Sequence, residues 1–256
     1  MSGLRRPRLV AGNWKMNRSA AEGAALAAEI RNLLGATSGC GVVVCPPFTA
    51  LESVGRALVG SSIRLGAQNL HPEPKGAFTG EISGAMLHGL GCTHVIVGHS
   101  ERRHGMGEDD ALVARKLRAA RRERLIPIVC VGETLAERES NRTAEVLVRQ
   151  VHGAYEGLDA AAADGTVVAY EPVWAIGTGK VASTEQARDA HRMIRATLDR
   201  VVGAGSGERM QILYGGSVNA DNAPALFAED DVDGALVGGA SLEAASFFRI
   251  VASAGS

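Results

Sequence analysis

Eight short apolar runs recur along the chain, each followed by a longer segment with helical character. The runs are residues 8–13 (RLVAGN), 41–46 (GVVVCP), 63–68 (IRLGAQ), 93–98 (THVIVG), 126–131 (IPIVCV), 166–171 (TVVAYE), 209–214 (RMQILY) and 233–238 (DGALVG). They are apolar on both alternating faces, as strands buried on both sides in a parallel sheet must be. The segments between them carry helix-start signals. Ser19 with Glu22, Thr49 with Glu52, and Thr134 with Glu137 have the Ser/Thr-x-x-Glu spacing in which two side chains and two backbone N–H groups cap one another. The pattern predicts one helix from about Thr134 to Tyr155 and another from about Ser183 to Val202. With no low-complexity linker or charge block, residues 1–256 read as one domain, and eight βα units of this total length suit a closed (β/α)8 barrel. An open doubly wound sheet is the rival, which periodicity alone does not exclude.

Composition narrows the function. The chain is 46% apolar and 21% charged, with 27 basic and 28 acidic residues mixed along it, net −1. It has no basic face for nucleic acid, so an anionic ligand would be held by local groups. The apolar start stops at Asn13 and Lys15, too short for a signal peptide or membrane span. Cys40, Cys45, Cys92 and Cys130 form no CxxC pair and read as buried free thiols in a reducing cytosol. None of the seven histidines completes a metal-binding pattern. His94 and His99, five residues apart, fall on opposite faces of an extended strand.

Polar residues gather at the C-terminal ends of the runs: Asn13 and Lys15, Gln68 and Asn69, His99 and Ser100, Glu133, Glu171, Ser217, and Gly238 with Gly239. In a barrel those ends converge on the face where active sites are built. Each residue has an ordinary alternative. Most carboxylates and lysines are simply solvated, and a strand-end histidine is most often satisfied by backbone. What singles out Glu171 is Pro172, which restricts it to an extended conformation and so fixes its aim. His99 precedes SERR, a helix start whose N-terminus disfavours imidazolium and keeps the ring a neutral donor. Lys15, flanked by Trp14 and Met16, suits a fixed cation for an anion or developing oxyanion. Gly215-Gly216-Ser217 and Gly238-Gly239 follow the seventh and eighth runs, where barrel enzymes often cradle phosphate. Gly177 to Ala182 fits a GxGxxA dinucleotide fingerprint with Asp199 downstream, but Pro172 to Ile176 intervene where the fingerprint needs an immediate turn.

GNWKMN (12–17), GAFTGE (76–81), GHSERR (98–103), YEPVWAIGTGK (170–180), YGGS (214–217) and LVGGASL (236–242) together resemble the triose-phosphate isomerase family, in its order and over the whole chain. The resemblance implies a cytoplasmic glycolytic and gluconeogenic isomerase without cofactor or metal. In that family's terms Glu171 is the base, His99 the electrophile, Lys15 the stabilising cation and Asn13 its neighbour. The N–H groups of Gly177, Ser217, Gly238 and Gly239 hold phosphate, Ser100 and Glu101 support the catalytic groups, and Glu101 contacts Lys15. Residues Pro172, Val173, Trp174, Ala175, Ile176, Gly177, Thr178, Gly179 and Lys180 form a lid, hinged at Val173-Trp174, covered by Ala175-Ile176 and gripping through the glycines. The resemblance also implies a homodimer through the 71–83 loop, with Thr79 near its tip, and no nucleic-acid or membrane partner. After GHSERR, His104-Gly105-Met106 stands where relatives often carry an aromatic. Two other classes make different demands: an oxidoreductase would use the GxGxxA stretch, and a non-catalytic sugar-phosphate-binding barrel would not need Glu171 and His99.

Overall fold

A computed structural model describes residues 6–35, 39–177 and 180–255. Its strands are β1 (Leu9–Asn13), β2 (Gly41–Cys45), β3 (Arg64–Ala67), β4 (His94–Val97), β5 (Ile126–Val131), β6 (Val167–Tyr170), β7 (Gln211–Tyr214) and β8 (Gly234–Val237). All neighbours pair in parallel, in sequence order, and β1 pairs with β8, Leu9 opposite Gly234 and Gly12 opposite Val237. That last pairing closes the barrel and removes the open sheet as an alternative.

Strand alternation sorts the apolar residues into two cores. Leu9, Ala11, Val43, Cys45, Ile96, Ile128, Cys130, Val167, Ala169, Leu213 and Leu236 fill the barrel interior. Their alternate neighbours, among them Val10, Val44, Val95, Val129, Val168 and Val237, face outward into the layer beneath the helices. A two-residue period therefore decides which side chains reach the C-terminal mouth from inside: on β6 the row Val167, Ala169 ends on Glu171.

The helices follow their start signals with two exceptions. Ser19, Thr134 and Ser183 each complete a reciprocal cap, opening Ala20–Leu34, Leu135–Glu139 and Thr184–Val201. Thr49 does not cap. It lies inside the 3-10 turn Phe48–Ala50, so its backbone is already helical, and the following helix Leu51–Ala57 starts with no side-chain cap. The single helix expected over 134–155 is two, Leu135–Glu139 and Thr143–Tyr155. Asn141 between them has φ +56°, a left-handed conformation that Asn tolerates and a helix cannot contain. Cys40, Cys45, Cys92 and Cys130 are all free thiols. No helix among the described residues is long and apolar enough to cross a membrane.

Candidate active site

The chain enters the site from the ends of β1, β4, β6, β7 and β8. At the end of β4, Gly98 takes φ +69° and turns the chain so that His99 caps the helix Ser100–Gly105. The His99 Nδ1 accepts the Glu101 N–H at 3.2 Å, which leaves Nε2 as the N–H that points into the mouth, 2.9 Å from Glu171 Oε1. At the end of β6, Glu171 is 2% exposed, and the helix opened by His99 supplies two further contacts. The Ser100 N–H donates to Oε2 at 2.8 Å and the Ser100 hydroxyl to Oε1 at 3.2 Å. Burial pushes the Glu171 carboxyl up, but His99, the Ser100 N–H and the Cys130 thiol beneath it outweigh that and hold it below the usual carboxylate range. Burial works against a charge on His99 while Glu171 works for one, and in the pair as it stands the second wins and raises the imidazole.

Lys15 reaches the same cleft from β1. Its ammonium meets Glu101 Oε1 at 2.6 Å, and its stem passes Gly238, where an added Cβ would lie 3.6 Å from Lys15 Cε. Asn13 accepts the Lys15 N–H at 3.0 Å. The cleft, of about 390 Å³, is lined by Asn13, Lys15, His99, Glu171, Gly177, Ser217, Gly238 and Gly239, all of them singled out from sequence. Ile176, the Gly215-Gly216 turn, Val218, Asn219, Leu236 and Ala240 complete the wall. Ser100 and Glu101 stand behind it, on Glu171 and Lys15. Among the described residues no cluster of three or more His, Cys, Asp or Glu side chains is arranged to hold a metal.

The segment expected to form a lid starts as a 3-10 turn, Val173–Ala175, after Pro172. Trp174 and Ala175 are buried, Ile176 is half-buried at the cleft, and Gly177 (φ +69°) and Lys180 are exposed. Thr178 and Gly179 lie outside the described residues. The turn separates β6 from the glycines, and the next helix starts only at Thr184, so the GxGxxA stretch lacks the strand–turn–helix setting of a dinucleotide site.

Glu133 has a part in the site that sequence reasoning missed beyond its place at a strand end. Fully buried, it accepts the Trp174 indole N–H at 2.9 Å and the Tyr170 hydroxyl at 3.1 Å, and pairs with Arg138 at 3.2 Å. Arg138 in turn lies 4.5 Å over the Trp174 ring. Ser217 holds the other side of the turn, its hydroxyl donating to the Ala175 carbonyl at 2.6 Å. An acid two residues past an all-apolar strand was the only sequence signal for Glu133. Its partner Trp174 stands 41 positions away.

With this geometry in view, the family model described as triosephosphate isomerase matches residues 8–254. The chain belongs to the triosephosphate isomerase family. Proteins named triosephosphate isomerase from Moorella thermoacetica, Rhodopirellula baltica and Syntrophotalea carbinolica are 54%, 51% and 50% identical to it. These alignments cover 97%, 96% and 97% of this chain and 98%, 97% and 98% of the relatives. The six stretches that carry the resemblance are separate in sequence, and the barrel brings residues from all but the 76–81 stretch to one mouth.

Proposed function

We propose that this chain is an isomerase that interconverts dihydroxyacetone phosphate and D-glyceraldehyde 3-phosphate, by proton abstraction through an enediolate and with no cofactor. Family membership supports the reaction. The observation that carries the residue roles is the 2.9 Å approach of a buried carboxylate, Glu171, to His99 Nε2 in a cleft that also holds Lys15. Such sites divide labour between a carboxylate base and a neutral imidazole electrophile, a division for which this enzyme family is itself the standard example.

In this reading the substrate carbonyl oxygen takes the Nε2–H of His99 and displaces Glu171 from it. The largest influence raising the imidazole is then weakened, and burial, Lys15 and the helix N-terminus, which favour the neutral ring, are opposed chiefly by Glu101. Glu171, released from Ser100, removes the proton on the carbon beside the carbonyl. The electron pair moves onto the carbonyl oxygen, where His99 and the Lys15 ammonium meet the charge. His99 passes a proton between the two enediolate oxygens, and Glu171 returns its proton to the neighbouring carbon. Asn13 holds Lys15, while Gly177, Ser217, Gly238 and Gly239 hold the phosphate. The lid, residues 172–180, keeps water out while the enediolate can still expel phosphate.

Residues 1–256 act as one domain, in the cytoplasm and as a symmetric homodimer through the 71–83 loop. That loop is closed at its base by a His71–Ser83 bridge and the His71 N–H to the Ile82 carbonyl at 2.8 Å. Support for the dimer comes from exposed apolar side chains: the segments after β1, β2, β3 and β4 present Met16, Phe48, Phe78 and Met106 in turn.

The test is dihydroxyacetone phosphate in D2O with chelator present, followed by NMR. Deuterated aldose product is expected, and Glu171→Gln should slow its formation by ~10²–10⁴-fold while phosphate binding persists. Near-normal turnover by Glu171→Gln would remove the base from this residue. Binding without exchange would make the barrel a non-catalytic one.

A further inference from the structure

Lys15 is one of four non-glycine residues among those described with positive φ, at +51°. L side chains rarely adopt that conformation, and it persists only where neighbours hold it in place. Two amide side chains do so, one on each side of the residue. Asn13 takes the Lys15 N–H at 3.0 Å. On the other side, Gln68 Nε2 donates to the Lys15 carbonyl at 2.8 Å and to the Cys45 carbonyl at 2.9 Å. Both partners are carbonyl oxygens, so the end of Gln68 facing them must be the NH₂ group, and its two hydrogens are both used. Cys45 O also takes the N–H of the fully buried Trp14 at 3.1 Å, which ties the same point to the chain just before Lys15. The end of β3 thus locks the turn leaving β1 to the end of β2. The lysine leaves that lock aimed at Glu101 and alongside Gly238.

We infer that Gln68 is the positioning residue of the catalytic cation: its amide bridges the Lys15 and Cys45 carbonyls, sustains the left-handed backbone at Lys15 and so sets where the ammonium stands. The inference rests on the role of Lys15 given above. It also says why the position takes glutamine. A leucine has the length without donors, and a glutamate has the shape but turns a carboxylate onto two carbonyl oxygens.

A double-mutant cycle separates positioning from general support. Gln68→Leu should lower kcat/KM by about 10–100-fold, the scale of a misplacement near 1 Å. Added to Lys15→Met it should lower kcat/KM no further, because the residue it positions is gone. If turnover by the Lys15 variants is too slow to read, Kd for inorganic phosphate runs the same cycle. Gln68→Glu supplies a readout within one folded protein. Its carboxylate, facing carbonyl oxygens, titrates above the ordinary glutamate value, and only the protonated form donates a hydrogen bond. Its kcat/KM relative to the parent should therefore rise as pH falls. Losses that multiply in the double variant, with a parental pH profile for Gln68→Glu, would overturn the inference while leaving Lys15 catalytic. Near-normal kcat/KM in Lys15→Met would instead overturn the role of Lys15 on which the inference stands.

Discussion

Gly132 sits where β5 ends, directly beneath the backbone of the residue proposed as the base. A Cβ at this position would stand 2.6 Å from the Glu171 carbonyl carbon and closer still to its oxygen. Both partners are main chain, so neither can rotate aside. Real Cβ atoms essentially never come within 3.0 Å of a neighbour, so Gly132→Ala must part β5 from the Glu171 backbone by roughly 1 Å or more, against close packing on both sides. Two hydrogen bonds cross that seam: the Glu171 N–H to the Val131 carbonyl at 2.8 Å and the Val173 N–H to the Glu133 carbonyl at 3.1 Å. Each hydrogen bond lost leaves a donor and an acceptor unpaired at about 1–3 kcal/mol per buried group, so losing both bonds costs up to about 4–12 kcal/mol. That is a large share of a total stability on the order of 5–15 kcal/mol. The same displacement moves the carboxylate from its aim, which costs on the order of 10²-fold in kcat/KM. Urea denaturation and steady-state kinetics on the purified variant read the two effects. Gly89→Ala is the control: a Cβ there meets nothing within 4 Å, and the change should be neutral or slightly stabilising. A Gly132→Ala protein with parental urea midpoint and kcat/KM within twofold would refute the argument.

Three further outcomes are expected. Burial holds the imidazoles of His94 and His191 at about 4, below the 6.5 of a free histidine. The unfolded chain therefore takes up protons first, and stability, complete above pH 6.5, is lost as pH falls towards 4. By about pH 5 the loss is about 2 kcal/mol per histidine, and equal urea midpoints at neutral pH and at that pH would contradict it. Deleting Ala175–Gly177 should leave slow consumption of substrate, with methylglyoxal and inorganic phosphate as a large share of product, whereas clean isomerisation at a reduced rate would count against the lid. Sedimentation should find a dimer at working concentration, with activity lost on dissociation; a fully active monomer would rule out the interface.

The alternation of apolar runs and capped helices was enough to place eight strands to within two residues at either end, because strand and helix periods are local properties of consecutive residues. Local chemistry also marked Glu171 through Pro172, and His99 through the helix start that follows it. Closure was not legible in this way. The β1–β8 pairing joins residues more than two hundred positions apart, and an open sheet would use the same periods. Nor was the break at Asn141, where a left-handed residue interrupts a helical pattern without changing it. The supports of the site belong to the same class. Glu133 on Trp174, Gln68 on Lys15, Ser100 on Glu171 and the close backbone approach at Gly132 each depend on which strand ends stand side by side. A residue's own neighbours in sequence set its conformation and the face it presents. What that face meets across the barrel mouth is decided only when the sheet closes, and there the tertiary structure determines which carboxylate is held, which lysine is aimed and which glycine admits no side chain.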